Sequence, residues 1–271
     1  MNMFVTPATH DYVSSHHTLV CSEVWASNRN VAHSVDLPGL QGWIYAAPLE
    51  LGQDGGGDIH YLSVCDYNVL SRVVLADVSG HGRAVAAVAE QLLCLMRRHM
   101  NRLEQPALLS ELSTSLRAEN AVDSATYATA LVIGFDSSSG DLVFTNAGHP
   151  PPLWYRAAEQ RWELLHEPRS AAADGSVGLP IGWGLGGGYE DIIVRLGVDD
   201  LLICYTDGLS DATNGEGLEL GVDGLLEFAR GVSVGSPMAA GATLLALVDG
   251  FRHGAAAADD ETLIVLRHSA R

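Results

Sequence analysis

Four aspartates occupy similar settings along the chain. Asp58 follows Gly55-Gly56-Gly57 and precedes an apolar run, while Asp77 ends a β-branched run and is followed by Val78-Ser79-Gly80-His81-Gly82. Asp207 closes a third apolar run ahead of Gly208, and Asp259 leads into the last one. Singly, an aspartate beside glycine at a strand end is ordinary turn chemistry, with the acid capping a turn and the glycine supplying backbone freedom. Together, four such acids could lie along one edge of a strand sandwich. Convergent carboxylates repel one another unless cations neutralise them. All-oxygen ligation suits Mg²⁺ or Mn²⁺, whereas zinc or copper calls for His or Cys. Spacing cannot demonstrate that convergence, so the elements carrying the acids matter next.

Residues 69–76 read as a buried strand and 83–100 as a helix of good helix formers, so Asp77 sits at a strand-to-helix turn. Strands are expected at 43–47 and 59–65, the latter forming a hairpin with 69–76 across Asp66-Tyr67-Asn68. A second hairpin joins 127–135 to 141–146. Further strands are expected at 153–156, 161–166, 192–196, 200–205 and 263–267, and helices at 106–120, 222–229 and 237–251. Residues 167–188 read as a glycine-rich loop. Strands arrive as adjacent hairpins and helices in pairs, which disfavours a doubly wound parallel sheet. The expected class is α+β: antiparallel sheets packed together and covered by paired helices. Residues 1–36 read as a weakly structured N-terminal segment, and 37–271 as one domain.

Composition narrows the function. The 271 residues are 47% hydrophobic and 18% charged, with a formal charge of −18. Such acidity argues against nucleic acid, whose phosphates demand Lys and Arg. No apolar run approaches the roughly 20 residues that span a bilayer, so no membrane partner is expected. The N-terminus lacks the basic-then-apolar pattern of a secretory signal. Cys21, Cys65, Cys94 and Cys204 form no Cys-x-x-Cys pair, and Cys94 and Cys204 lie in apolar runs. Buried, reduced thiols in a cytoplasmic protein follow, without structural zinc.

Six segments then add a resemblance. In order they are Gly56-Gly57-Asp58, 76–82 (Ala-Asp-Val-Ser-Gly-His-Gly), 146–151 (Asn-Ala-Gly-His-Pro-Pro), 178–182 (Gly-Leu-Pro-Ile-Gly), 205–209 (Tyr-Thr-Asp-Gly-Leu) and 259–262 (Asp-Asp-Glu-Thr). On these, residues 37–268 resemble the PPM-type (protein-phosphatase-2C-like) metal-dependent serine/threonine phosphatases, in particular their bacterial SpoIIE/RsbU-like branch. The resemblance implies a central β-sandwich flanked by helices, with two Mn²⁺ or Mg²⁺ ions at one end. Asp77 would bridge both ions and hold the reacting water. Asp58 and the Val78 carbonyl would hold the second ion, and Asp207 and Asp259 the first, with Asp260 ranking below Asp259. A metal-bound water or His81 would protonate the leaving group, with a structural role in its turn as the competing reading of His81; His149 reads as structural. The implied substrate is a phosphoserine or phosphothreonine protein, typically an anti-sigma-factor antagonist in a partner-switching pathway. Regulation is left to the N-terminal segment, a separate protein, or self-association as a homodimer.

One departure stands out. Relatives commonly carry a second aspartate three positions after the glycine-glycine aspartate; here that position is Tyr61, with His60 beside it as a candidate contact for water or phosphate. This motivates an alternative: a catalytically weak or inactive module that binds a phosphoprotein. A second alternative, a nucleotide-binding enzyme using 182–188 as a phosphate cradle, lacks a Gly-Lys-Ser/Thr signature and is followed by a strand-like run.

Overall fold

The structure is a computed structural model describing residues 15–49, 55–65, 67–80, 82–99, 102–119, 126–165, 178–183 and 188–270. In chain order the first strands are β1 (Ser15–Thr18), β2 (Val24–Ser27), β3 (Val31–Leu37), β4 (Leu40–Ala47), β5 (Asp58–Cys65) and β6 (Leu70–Val78). Helices α1 (Arg83–Arg98) and α2 (Gln105–Glu119) follow, then β7 (Ala128–Asp136), β8 (Asp141–Ala147), β9 (Leu153–Arg156), β10 (Arg161–Leu164), β11 (Ile192–Arg195) and β12 (Leu201–Tyr205). The chain closes with α3 (Asp207–Ser210), α4 (Gly221–Ala229), α5 (Pro237–Arg252) and β13 (Glu261–His268).

The strands form two sheets, ordered β1-β3-β4-β13-β12-β9-β10 and β11-β8-β7-β6-β5-β2. Every pairing is antiparallel except β1 with β3. The period-2 alternation of a strand sends successive side chains to opposite faces, and three cores result. Val73 and Leu75 of β6 face Ile44, Cys204 and Ile264 of the other sheet. The intervening Val74 and Ala76 meet Leu92 and Met96 of α1 and Leu112 of α2. On the far side Trp43, Leu263 and Val265 pack on Leu244 and Val248 of α5. The layers run helix, sheet, sheet, helix, as the sequence led one to expect.

Local chemistry sets the edges of these elements. The β7–β8 hairpin turns on Asp136, whose Oδ1 accepts the Ser138 N–H at 2.7 Å and the Ser138 hydroxyl at 2.6 Å. Helix α5 starts at Ser236, whose Oγ accepts the Ala239 N–H, with Pro237 in the first turn; both are favoured N-terminal residues. Gly241 lets α5 approach β4: a Cβ there would sit 2.4 Å from the Trp43 ring.

Two expectations need correcting. Residues 15–36 supply β1, β2 and most of β3, and the Pro38-Gly39 turn joins β3 to β4 as a hairpin, so no boundary falls at residue 37. The segment reads as unstructured because β1 is exposed throughout and β2 only half-buried, which erases the hydrophobic alternation. Cys94 is exposed on α1, while Cys204 is buried as expected. Most of 167–188 lies outside the described residues, as does His81. Among the described residues no helix is long and apolar enough to cross a membrane.

Candidate functional site

Register brings the first two acids together. Asp58, the first residue of β5, is the direct cross-strand partner of Asp77 on β6. Alternation places Asp58 on the face of Leu62 and Val64, and Asp77 on the face of Val73 and Leu75; both faces look toward the opposing sheet. That sheet delivers the other two acids to the same end. Asp207 follows β12 as the first residue of α3, and Asp259 stands two residues before β13, which pairs with β12 through Tyr205 and Leu263.

Electrostatics records the convergence. Burial and then the charges of Asp207, Asp259, Asp260 and Asp211 push the Asp77 carboxyl up to about 8. Asp58 is pushed well above the usual carboxylate range by burial and by Asp77, against the pull of hydrogen bonding from Thr206. Burial, Asp211 and Asp259 raise Asp207 as well. Mutual repulsion opposes closer approach of such acids. Among the described residues, no group of three or more His, Cys, Asp or Glu side chains is arranged to hold a metal ion.

The surrounding backbone explains why glycines attend these acids. A Cβ on Gly56 would sit 2.4 Å from Asp260 Oδ2, one on Gly57 3.0 Å from the Val78 carbonyl oxygen, and one on Gly208 2.0 Å from the Asp260 carbonyl oxygen. The Gly208 contact seats the Asp207 turn directly on the Asp259-Asp260 backbone. From α5, Arg252 pairs with Glu261 and donates to the Gly208 carbonyl at 3.3 Å, fastening that turn.

Asp260 has a role that sequence reasoning missed. Its Oδ1 accepts the Leu49 N–H and its Oδ2 the Gly57 N–H, both at 2.6 Å. It therefore ties the end of β4 and the start of β5 to β13, while the Asp259 carboxylate accepts the Asp260 N–H at 2.8 Å. Asn28 secures the same segment, its Nδ2 donating to the Gly56 carbonyl at 3.1 Å while its own carbonyl accepts the Gly56 N–H. Thr206 donates from Oγ1 to Asp58 Oδ2 at 2.7 Å. The Thr262 hydroxyl lies close enough to favour ionised Asp58, yet it is buried with no partner at hydrogen-bonding geometry. Only the placement of Thr206 and Thr262 beside Asp207 and the 259–260 acids hinted at these parts.

Further candidates lie on β5 and beside β7. Tyr61 points to the opposite face of β5 and packs with α1, so the departure at this position does not touch the carboxylates. His60 is buried on the inner face near Trp25, its ring 5.9 Å away, with neither nitrogen hydrogen-bonded. His149 is held next to the acids, because Thr129 is the cross-strand partner of Asp77. Its Nδ1 pairs with Thr129 Oγ1 at 2.8 Å and its backbone is bracketed by the Asn146 side chain. Burial lowers its pKa to about 3. Among the described residues after Gly182 comes β11 and no helix before it, so the phosphate-cradle alternative has no helix N-terminus to use.

Among the described residues the donors are carboxylates and the Val78 carbonyl, oxygens of the kind that suit a hard divalent cation, with the buried Thr262 hydroxyl beside them. Residues 70–269 match the family model described as Stage II sporulation protein E (SpoIIE). The chain is 28% identical over 144 residues to the phosphoserine phosphatase RsbP of Bacillus subtilis, covering 52% of this chain and 33% of that protein. It thus spans about a third of the length of that curated relative. Among solved structures, the RsbU and RsbW domains of a Mycobacterium tuberculosis protein superpose with a TM-score of 0.70 at 24% identity, covering 90% of this chain and 63% of that one. The SiaA-PP2C domain of Pseudomonas aeruginosa gives 0.69 at 19% identity, covering 83% and 85%.

Proposed function

Because the chain belongs to the SpoIIE family, we propose that it hydrolyses phosphoserine or phosphothreonine on a protein substrate in a divalent-metal-dependent reaction. The observation that carries this reading is the meeting of acids from two facing sheets: Asp58 and Asp77 are cross-strand partners, Thr206 beside Asp207 bonds Asp58 at 2.7 Å, and Gly208 seats that turn on the Asp259-Asp260 backbone. Asp77 feels the charges of Asp207 and Asp259 and pairs across strands with Asp58, and would bridge two ions. Asp58 and the Val78 carbonyl would hold one, Asp207 and Asp259 the other. When bound, Mn²⁺ or Mg²⁺ would acidify a water and balance the charge of the phosphoryl oxygens. RsbX has been crystallised with magnesium and PstP with two manganese ions, both on this fold.

The chain's own contribution is positioning. Asp260 and Asn28 fix the Gly56-Gly57 backbone that presents Asp58. Gly208 and Arg252 fix the turn that presents Asp207. No side-chain nucleophile is required. His149 carries no proton near neutrality and is bound to Thr129, so it does not serve as the acid. Proton donation to the departing seryl or threonyl oxygen is left to water or to His81, which lies outside the described residues.

The phosphoserine specificity named for RsbP and the pairing of RsbU with RsbW domains in one solved relative favour a partner-switching substrate, a phosphorylated anti-sigma-factor antagonist. The non-catalytic alternative rested on Tyr61, which faces away from the acids. The test is Mn²⁺-dependent release of phosphate from an aryl phosphate and from phosphorylated antagonist proteins. Activity lost in both Asp77→Asn and Asp207→Asn supports the proposal, and activity unaffected by either substitution refutes it.

A further inference from the structure

Thr206 stands between the acids from the two sheets and is wholly buried. Its backbone N–H donates to the Thr262 carbonyl at 3.0 Å, and its Oγ1 accepts the Thr262 N–H at 2.9 Å. A hydroxyl has one proton and two lone pairs. With a lone pair occupied by an N–H donor, the proton is left for the other neighbour, Asp58 Oδ2 at 2.7 Å. An ionised carboxylate only accepts, so with Asp58 ionised the Thr206 hydroxyl is the donor. The relay runs from the β13 backbone through Thr206 to the β5 carboxylate, crossing from one sheet to the other.

We infer that Thr206 is a positioning residue, locking the Asp58 carboxylate through Oδ2 in the orientation in which it would hold the cation. This rests on the reading of Asp58 as a metal ligand. A free carboxylate must surrender rotational freedom on binding an ion; one already held by a directed hydrogen bond has surrendered it in folding. Outer partners of this kind typically change metal affinity 10- to 100-fold when removed. Thr206 also answers why a β-branched hydroxyl residue precedes Asp207: valine would fill the same space but neither accept from Thr262 nor donate to Asp58.

The experiment is calorimetric titration of Mn²⁺ into the metal-free full chain, alongside metal-free melting curves. Thr206→Val is expected to weaken Mn²⁺ binding by about 10- to 100-fold, and Thr206→Ser, which keeps the hydroxyl, to stay within about threefold of wild type. Thr206→Cys, close in size but a poor donor, is expected to fall between them and carries the test should the valine variant not fold. Wild-type affinity in a folded Val or Cys variant overturns the inference, as does a serine variant as weak as valine. Absence of Mn²⁺ binding by the wild type overturns the metal reading itself and the inference with it, a result distinct from binding that is indifferent to residue 206.

Discussion

Replacing Asp77 with asparagine should stabilise the metal-free protein while abolishing its response to divalent cations. In the folded chain the Asp77 carboxyl is pushed from 3.8 to about 8 by burial and by four neighbouring acids. A carboxyl whose folded pKa is raised binds more protons folded than unfolded between those values, so metal-free stability falls as pH rises from about 3.8 to about 8. Near pH 7.5 the penalty reaches at most about 5 kcal/mol, from roughly 3.7 pKa units at 1.36 kcal/mol each. Water entry and relaxation reduce such penalties, so a gain of about 1–3 kcal/mol is expected for Asp77→Asn, or several degrees in melting temperature. Near pH 5.5 less than half of the penalty remains, and the gain should shrink accordingly. The assay is urea unfolding of both proteins in chelator at the two pH values. A variant no more stable than wild type near pH 7.5, or a gain that ignores pH, would refute the reasoning.

Other parts of the structure give sharper single outcomes. Gly208→Ala places a methyl 2.0 Å from the Asp260 carbonyl oxygen; a loss of about 3 kcal/mol or more is expected by chemical unfolding, because backbone must move to admit it. His149, held neutral with a pKa of about 3, must give up stability as pH falls from about 6.5 toward 3, since the unfolded chain takes up the proton first. His149→Gln should flatten acid unfolding across that window in circular dichroism. Tyr61→Phe should leave Mn²⁺ affinity unchanged. Tyr61→Asp should cost several kcal/mol through a buried unpaired charge without strengthening metal binding, because the side chain faces α1.

The sequence revealed what is local. Strands β5 to β8 announced themselves by apolar runs and turn residues, and α1 and α5 by long stretches of helix formers. The setting of Asp77 at a strand-to-helix turn could likewise be read directly. What escaped is held by contacts between distant positions. Asp260 binds the Gly57 N–H across 203 residues and Thr206 binds Asp58 across 148; no periodicity encodes such bonds. The strands β1 and β2 escaped for a related reason: they owe their form to pairing with β3 and β5, not to an alternating pattern of their own. Asp207 as the opening residue of a four-residue helix was also invisible, because a single turn is too short to carry a hydrophobic period.

The most direct test of the account is anomalous diffraction from crystals grown with Mn²⁺. Two peaks are expected between the two sheets, one at Asp58 and the Val78 carbonyl and one at Asp207 and Asp259, with Asp77 at both. Ordered Mn²⁺ elsewhere on the surface with no density among these four acids would contradict it.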